Sequence, residues 1–280
     1  YRHSTPGHWA DASSLWPLLG PPLRPHPDDI VIVEGLIGEW AARQDRAPRA
    51  LILGVTPELQ RLAWPSGSVV HALDRSEPMI RNVWPGPTGS AQLGDWLDLG
   101  AEAEPRDIVL CDGGLHLLAY PADQSLLATA LARLIRPGGI LVLRLFSGML
   151  GVESPEAVLA SVHAGQLSSM DELKLRLLVA LQDSPERGVR LDDAWSSLHK
   201  AFGDWETLSH ITRWPLERIS VVDTYRGNQA TYHFAGRDWV EKAFVQGTAG
   251  AFRLAHAATG SYSGASACPT LAFERIGAAA

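Results

Sequence analysis

Two residues near the front of the chain have types and a spacing suited to holding a nucleoside. Gly54 sits in "LILGVTPEL" (51–59), an apolar strand-like run that breaks into the start of a helix. Asp74 closes the next apolar run, "SVVHALD", about 20 residues further on. A carboxylate there, at the tip of a second strand, can accept hydrogen bonds from ribose hydroxyls. Two ordinary turns would contain the same pair, so the loop between them has to decide. Sites that grip phosphate use several glycines and a bare helix N-terminus. Here Thr56 suits the N-cap, Pro57 the first helical position and Glu58 the first turn. Glu58 puts a carboxylate where a pyrophosphate would lie, which costs on the order of a kcal/mol in a partly buried site. The loop therefore favours a nucleoside cofactor that carries no phosphate. S-adenosylmethionine fits, with its ribose, adenine, sulfonium and amino-acid tail.

The elements that must position these residues alternate from residue 50 onward. "ALILGV", "SVVHALD", "SAQLGD", "RDIVLCDGG" and "ILVLRLF" read as strands. Helical stretches lie between them: "PELQRLAW", "SEPMIRNVW" and "QSLLATALARLIRPGG", the last closed by Gly138 and Gly139. This rhythm predicts parallel βαβ units, whose strands are covered on both faces and so apolar throughout. Before it, the Pro-rich segment 17–27 follows a short helix and precedes "IVIVEGLIGEWAARQ", a helix with Asp28 and Asp29 at its start. After residue 147 the pattern turns helical, with "SMDELKLRLLVAL" and "LDDAWSSLHKAF". A strand pair, "RISVVDTY" and "ATYHF", is predicted around Gly227–Asn228. The helix "RDWVEKAFV" and the strands "AFRLAHAAT" and "CPTLAFERI" then resume the α/β rhythm. The chain thus divides into an N-terminal helical and Pro-rich cap (1–46), a core (47–150 and 236–280) and an inserted segment (151–235) too long to be a mere connection.

Composition narrows the function. The 280 residues are 46% hydrophobic and carry a formal net charge of −7. An acidic protein is a poor match for nucleic acid, which is held through a cationic surface. Cys111 and Cys268 are too few for a disulfide framework and have no zinc-type spacing, so no metal is expected and a reducing, cytoplasmic compartment is favoured. No apolar run approaches the ~20 residues that span a bilayer, and the N-terminal residues have no signal-peptide layout.

The order "LILGV", "VHALDRSEPMI", "QLGDWLDL", "DIVLCDGGLHLL", "LIRPGGILVLRLF" resembles the core of class I S-adenosylmethionine-dependent methyltransferases. The resemblance covers about 50–147, and 236–280 in its helix–strand–strand ending. It implies a doubly wound, mostly parallel seven-stranded sheet with an antiparallel last strand, plus a mainly helical insertion before the last helix. It also implies roles. Gly54, with Val55 and Thr56, lets the backbone approach the methionine part. Asp74 takes the ribose hydroxyls, and Arg75 and Met79 flank the adenine. Asp95 accepts from the adenine amine with Trp96 beside it, and Asp112, Gly113 and Gly114 line the transfer site. Thr56 and Glu58 depart from the family pattern, which usually has glycine at those positions.

Methyl transfer by direct displacement needs an aligned acceptor and, for a hydroxyl or protonated amine, a base. His116 is the nearest titratable candidate, with His233 a second; positioning alone is the other option. Trp214, Tyr225, Arg226 and Tyr232 in the insertion suit an aromatic, polar small-molecule acceptor, to be methylated on oxygen or nitrogen. Trp9, Trp16 and Arg24 are placed to close over the cofactor, Arg24 reading most simply as an exposed linker residue. A homodimer is left open. The alternatives are a catalytically silent methyltransferase-like binding or scaffold protein and, further off, a nicotinamide-dependent oxidoreductase.

Overall fold

A computed structural model describes residues 13–99, 103–147 and 153–277. The expected position of Trp9 lies outside these residues. Strands β1 (Arg49–Leu53), β2 (Val69–Asp74), β3 (Ala91–Leu93), β4 (Arg106–Asp112) and β5 (Ile135–Arg144) are all parallel. Two residue pairs form a small separate ladder, β6 (Val189–Arg190) with β7 (Thr231–Tyr232). The last strands, β8 (Phe252–Ala258) and β9 (Thr270–Arg275), complete a seven-stranded sheet in the order β3-β2-β1-β4-β5-β9-β8. Only β9 runs against its neighbours. This is the doubly wound sheet expected from the sequence.

The strand pattern follows from burial on two faces. Along β1, Leu51 and Leu53 join one core and Ala50 and Ile52 the other. Helix α1 (Pro27–Ala42) covers the second face with Val33, Ile37 and Trp40. Its start is fixed by a capping box between His26 and Asp29, with Pro27 in the first turn. α2 (Pro57–Gln60) and α3 (Glu77–Val83) lie on the same side, while α4 (Ala122–Leu134) and the helix after the insertion, α10 (Arg237–Val245), cover the opposite face. Strand order reverses between β1 and β4, so the carboxyl ends of β1, β2 and β4 open onto one crevice, the usual ligand position in such sheets.

The insertion carries α5 (Pro155–His163), α6 (Met170–Leu181), α7 (Leu191–Phe202), α8 (Trp205–Thr212) and α9 (Leu216–Ile219) around its own apolar cluster. Among the described residues no helix is long and apolar enough to cross a membrane.

Three local expectations are corrected. "RISVVDTY" is helical, α9 followed by a 3-10 stretch over Ser220–Tyr225. Of its four buried residues, Ile219, Val222 and Tyr225 recur every third position, the period of a 3-10 helix, with Val221 beside them. "ATYHF" pairs instead with Val189–Arg190. The helix in "PELQRLAW" stops at Gln60, because Ala63 N–H donates to Glu34 and Trp64 precedes Pro65, a position that disfavours helix. α4 likewise ends at Leu134, and "IRPGG" forms the irregular start of β5, where Pro137 has no N–H to continue a helix.

Candidate active site

One cleft of ≈ 1110 Å³, its open mouth included, lies over the carboxyl ends of β1, β2 and β4. Its first half is built on Gly54, which has φ +92° and donates its N–H to the Leu73 carbonyl at 2.9 Å. The same carbonyl accepts the Trp96 indole N–H at 2.8 Å, which lays the ring beneath the loop. A Cβ at Gly54 would stand 3.6 Å from that ring and 3.8 Å from the Asp74 carboxylate. Glycine therefore keeps open the ground between them.

Asp74 is fixed by the Ser76 N–H at 2.7 Å, and Ser76 in turn caps α3 through Met79 N–H. Burial pushes the Asp74 carboxyl up to about 6, although backbone hydrogen bonds from Ser76, Val55 and Arg75 work against the shift. A desolvated carboxylate beside an open cradle suits the hydroxyls of a ribose. Val55, Thr56, Arg75 and Met79 line the same half. Asp95 does not reach the cleft lining; it caps the turn at Trp96 by accepting Leu97 N–H at 2.9 Å. Arg24 is not an exposed linker residue: it ion-pairs with Glu58 and lies over the Trp16 ring. That pairing offsets the charge that Glu58 would otherwise turn toward a phosphate.

The second half opens past the end of β4. Gly113 has φ +57°, and a Cβ there would come 2.5 Å from the Phe146 ring; one at Gly114 would come 2.7 Å from Trp96. The Asp112 carboxylate is bound by Arg144, whose Nη2 lies 3.2 Å from Oδ2. Burial opposes the charge on Arg144, but Asp112 beside it holds the guanidinium protonated. His116 is packed flat on Phe234 (centroids 5.1 Å, 5° between planes) and edge-on to Tyr232 (4.6 Å). Its Nδ1 is buried without a hydrogen-bond partner. Burial, with His233 nearby, pushes the imidazole down to about 3, so it is neutral at physiological pH.

Tyr225 and Tyr232 line this half, and the segment 15–23 closes it with Leu15, Trp16, Leu19 and Leu23. Three expected residues lie elsewhere. His233 binds the Pro185 carbonyl through Nδ1 at 2.8 Å. Arg226 lies exposed over the Trp195 ring, and Trp214 packs on the insertion core beside a shallow surface hollow. Among the described residues no group of three His, Cys, Asp or Glu is placed to hold a metal.

Lys174 is the residue that sequence reasoning missed. It is only 1% exposed, lines the cleft from α6, and ion-pairs with Asp171 at 2.7 Å. The available sign was its position, a lysine among Leu173, Leu175, Leu177 and Leu178 in the most deeply buried helix of the insertion.

The fold is the Rossmann-like one seen in class I methyltransferases, and comparison with known proteins agrees. Residues 53–143 match the family model described as "Methyltransferase domain". Among solved structures, the CcbJ methyltransferase from Streptomyces caelestis is similar over 96% of this chain and 98% of its own, with 15% identity and a TM-score of 0.52. A protein from Rhodobacter sphaeroides, provisionally described as a Zn-dependent alcohol dehydrogenase, is similar over 95% and 98%, with 14% identity and a TM-score of 0.58. At such identities both likenesses are ones of fold. A comparison with proteins of curated function gives no match.

Proposed function

We propose that the chain methylates a small molecule, with S-adenosylmethionine held over Gly54 and Asp74 and the acceptor held between the sheet and the insertion. The observation that carries this reading is the single cleft joining the two halves. Asp74 would accept from the ribose, Gly54 would admit the cofactor to the backbone, and Trp96 and Met79 would frame its base. When bound, the cofactor supplies an electrophilic methyl group on a sulfonium. Gly113 and Gly114 leave room at the junction, and the insertion with the 15–23 segment excludes water from it.

His116 enters the reading as a neutral hydrogen-bonding group. An imidazole held near 3 takes up a proton too weakly to serve as an efficient base at neutral pH. Positioning, rather than proton abstraction by histidine, then drives the reaction.

Calorimetry with S-adenosylmethionine, S-adenosylhomocysteine and NAD(P) tests the proposal. The first two should bind and the third should not. Asp74→Ala should weaken both by about ten- to a hundredfold in a folded protein, the loss expected for a hydrogen bond to a charged group. Unchanged affinity in the variant would remove Asp74 from the site. Binding of neither nucleoside by the wild-type protein would favour a scaffold role.

A further inference from the structure

We propose that Lys174 is the docking point for an anionic oxygen on the acceptor, whose remaining body is aromatic or apolar. The inference rests on the methyltransferase reading of the same cleft and adds the chemical class of what enters it.

A lysine is seldom this deeply buried without a partner for its charge. Asp171 supplies one at 2.7 Å, and is itself held by the Gly20 N–H at 2.7 Å. That leaves two of the three ammonium protons, and among the described residues no second carboxylate lies within ion-pairing distance of Nζ. The ammonium stands 5.9 Å from the Tyr225 ring centre, and that ring is a wall of the cleft. Of the other charged residues that line the cleft, Asp112 is bound by Arg144, and Asp74 and Arg75 stand in the cofactor half. Among the described residues that line the acceptor side, Lys174 is thus the cation with donor capacity to spare.

A second observation points to a ligand in the same place. His116 is 7% exposed, lines the cleft, and has its Nδ1 buried without a partner. A buried polar atom left in this way is costly unless something completes it. Around Lys174 and His116 the walls are Phe146, Leu117, Val221 and Tyr232. An apolar chamber with one desolvated ammonium and one neutral imidazole fits an aromatic or apolar molecule bearing a carboxylate, or a phenol or enol that ionises on docking. A neutral amine would leave the ammonium unmet.

Three matched probes separate these cases: 4-nitrobenzoate, 4-nitrophenol and 4-nitroaniline. Each is titrated by calorimetry into the wild-type protein and into Lys174→Met and Lys174→Arg, with and without saturating S-adenosylhomocysteine. The wild type should bind an acidic probe at least about tenfold more tightly than the aniline. Lys174→Met should erase that preference, Lys174→Arg should keep it, and S-adenosylhomocysteine affinity should stay within about twofold in both, which also reports an intact fold. The visible absorbance of bound nitrophenol tells phenolate from phenol, and so an ionised hydroxyl from a carboxylate as the docked group. The proposal is overturned if the aniline binds as well as the acids, if no probe binds, or if the preference survives Lys174→Met. Absent S-adenosylhomocysteine binding in the wild type would refute the methyltransferase reading instead, and the probe series without it would still judge Lys174.

Discussion

At the scale of single residues, Asp74 connects the cleft to pH. Burial holds its carboxyl up at about 6, and accepting ribose hydroxyls would favour the ionised form. Cofactor binding should then release a proton around that pH. S-adenosylhomocysteine affinity is expected to be flat above about pH 7 and to fall as pH drops through 6, by up to tenfold per unit or about 1.4 kcal/mol. Calorimetry from about pH 8 to about pH 5 checks this, and Asp74→Asn should flatten the profile. For the unliganded fold the sign is opposite: ionising a buried carboxyl costs stability as pH climbs toward 6. Gly54 and Asp74 were legible in the sequence because a strand–turn–helix spacing fixes where they stand. Lys174 was not, since a lysine in a helix ordinarily reaches solvent. Its acid lies one turn away on α6, but the backbone that orients that acid comes from Gly20, 151 residues distant in sequence.

At the scale of elements, the turn after β4 separates the two halves of the cleft. Gly113 adopts a left-handed conformation with the Phe146 ring against it, so Gly113→Ala meets both a backbone cost and a clash. We expect a loss of about 2 kcal/mol or more in urea denaturation, together with a marked fall in turnover. A loss below about half a kcal/mol would mean that the turn is looser than described. The central parallel strands β1, β4 and β5 were readable because burial on both faces makes them largely apolar. The 218–225 segment was not, because its β-branched residues look strand-like while the packing against α7 that favours the helical turn comes from elsewhere in the chain.

At the scale of the whole molecule, distant parts of the chain meet at Arg144. The guanidinium binds Asp112 at the end of β4, the Pro22 carbonyl at 2.9 Å and the Tyr262 hydroxyl at 3.3 Å, with Asp29 of α1 at 3.6 Å. Tyr262 also donates to Asp29 at 2.8 Å. Arg144→Met would leave two buried carboxylates without their cation. Breaking a buried pair from one side costs about 3–5 kcal/mol, so the denaturation midpoint should fall steeply, with little change in slope. A loss below about 1 kcal/mol would show that the network is dispensable. None of these partners is near Arg144 in sequence, and the contact exists only once the fold is complete.

The separate cores beneath the cleft have a consequence for descent. Cofactor-side residues rest on the sheet, whereas Tyr225 and Tyr232 on the acceptor side rest on the insertion's cluster, which Phe146, Ala267 and Cys268 join from the core. Mutations that reshape the acceptor chamber can accumulate in the insertion without loosening the grip on the nucleoside. On the proposed function, such a chain can change its acceptor by drift in one compartment while selection holds the other constant.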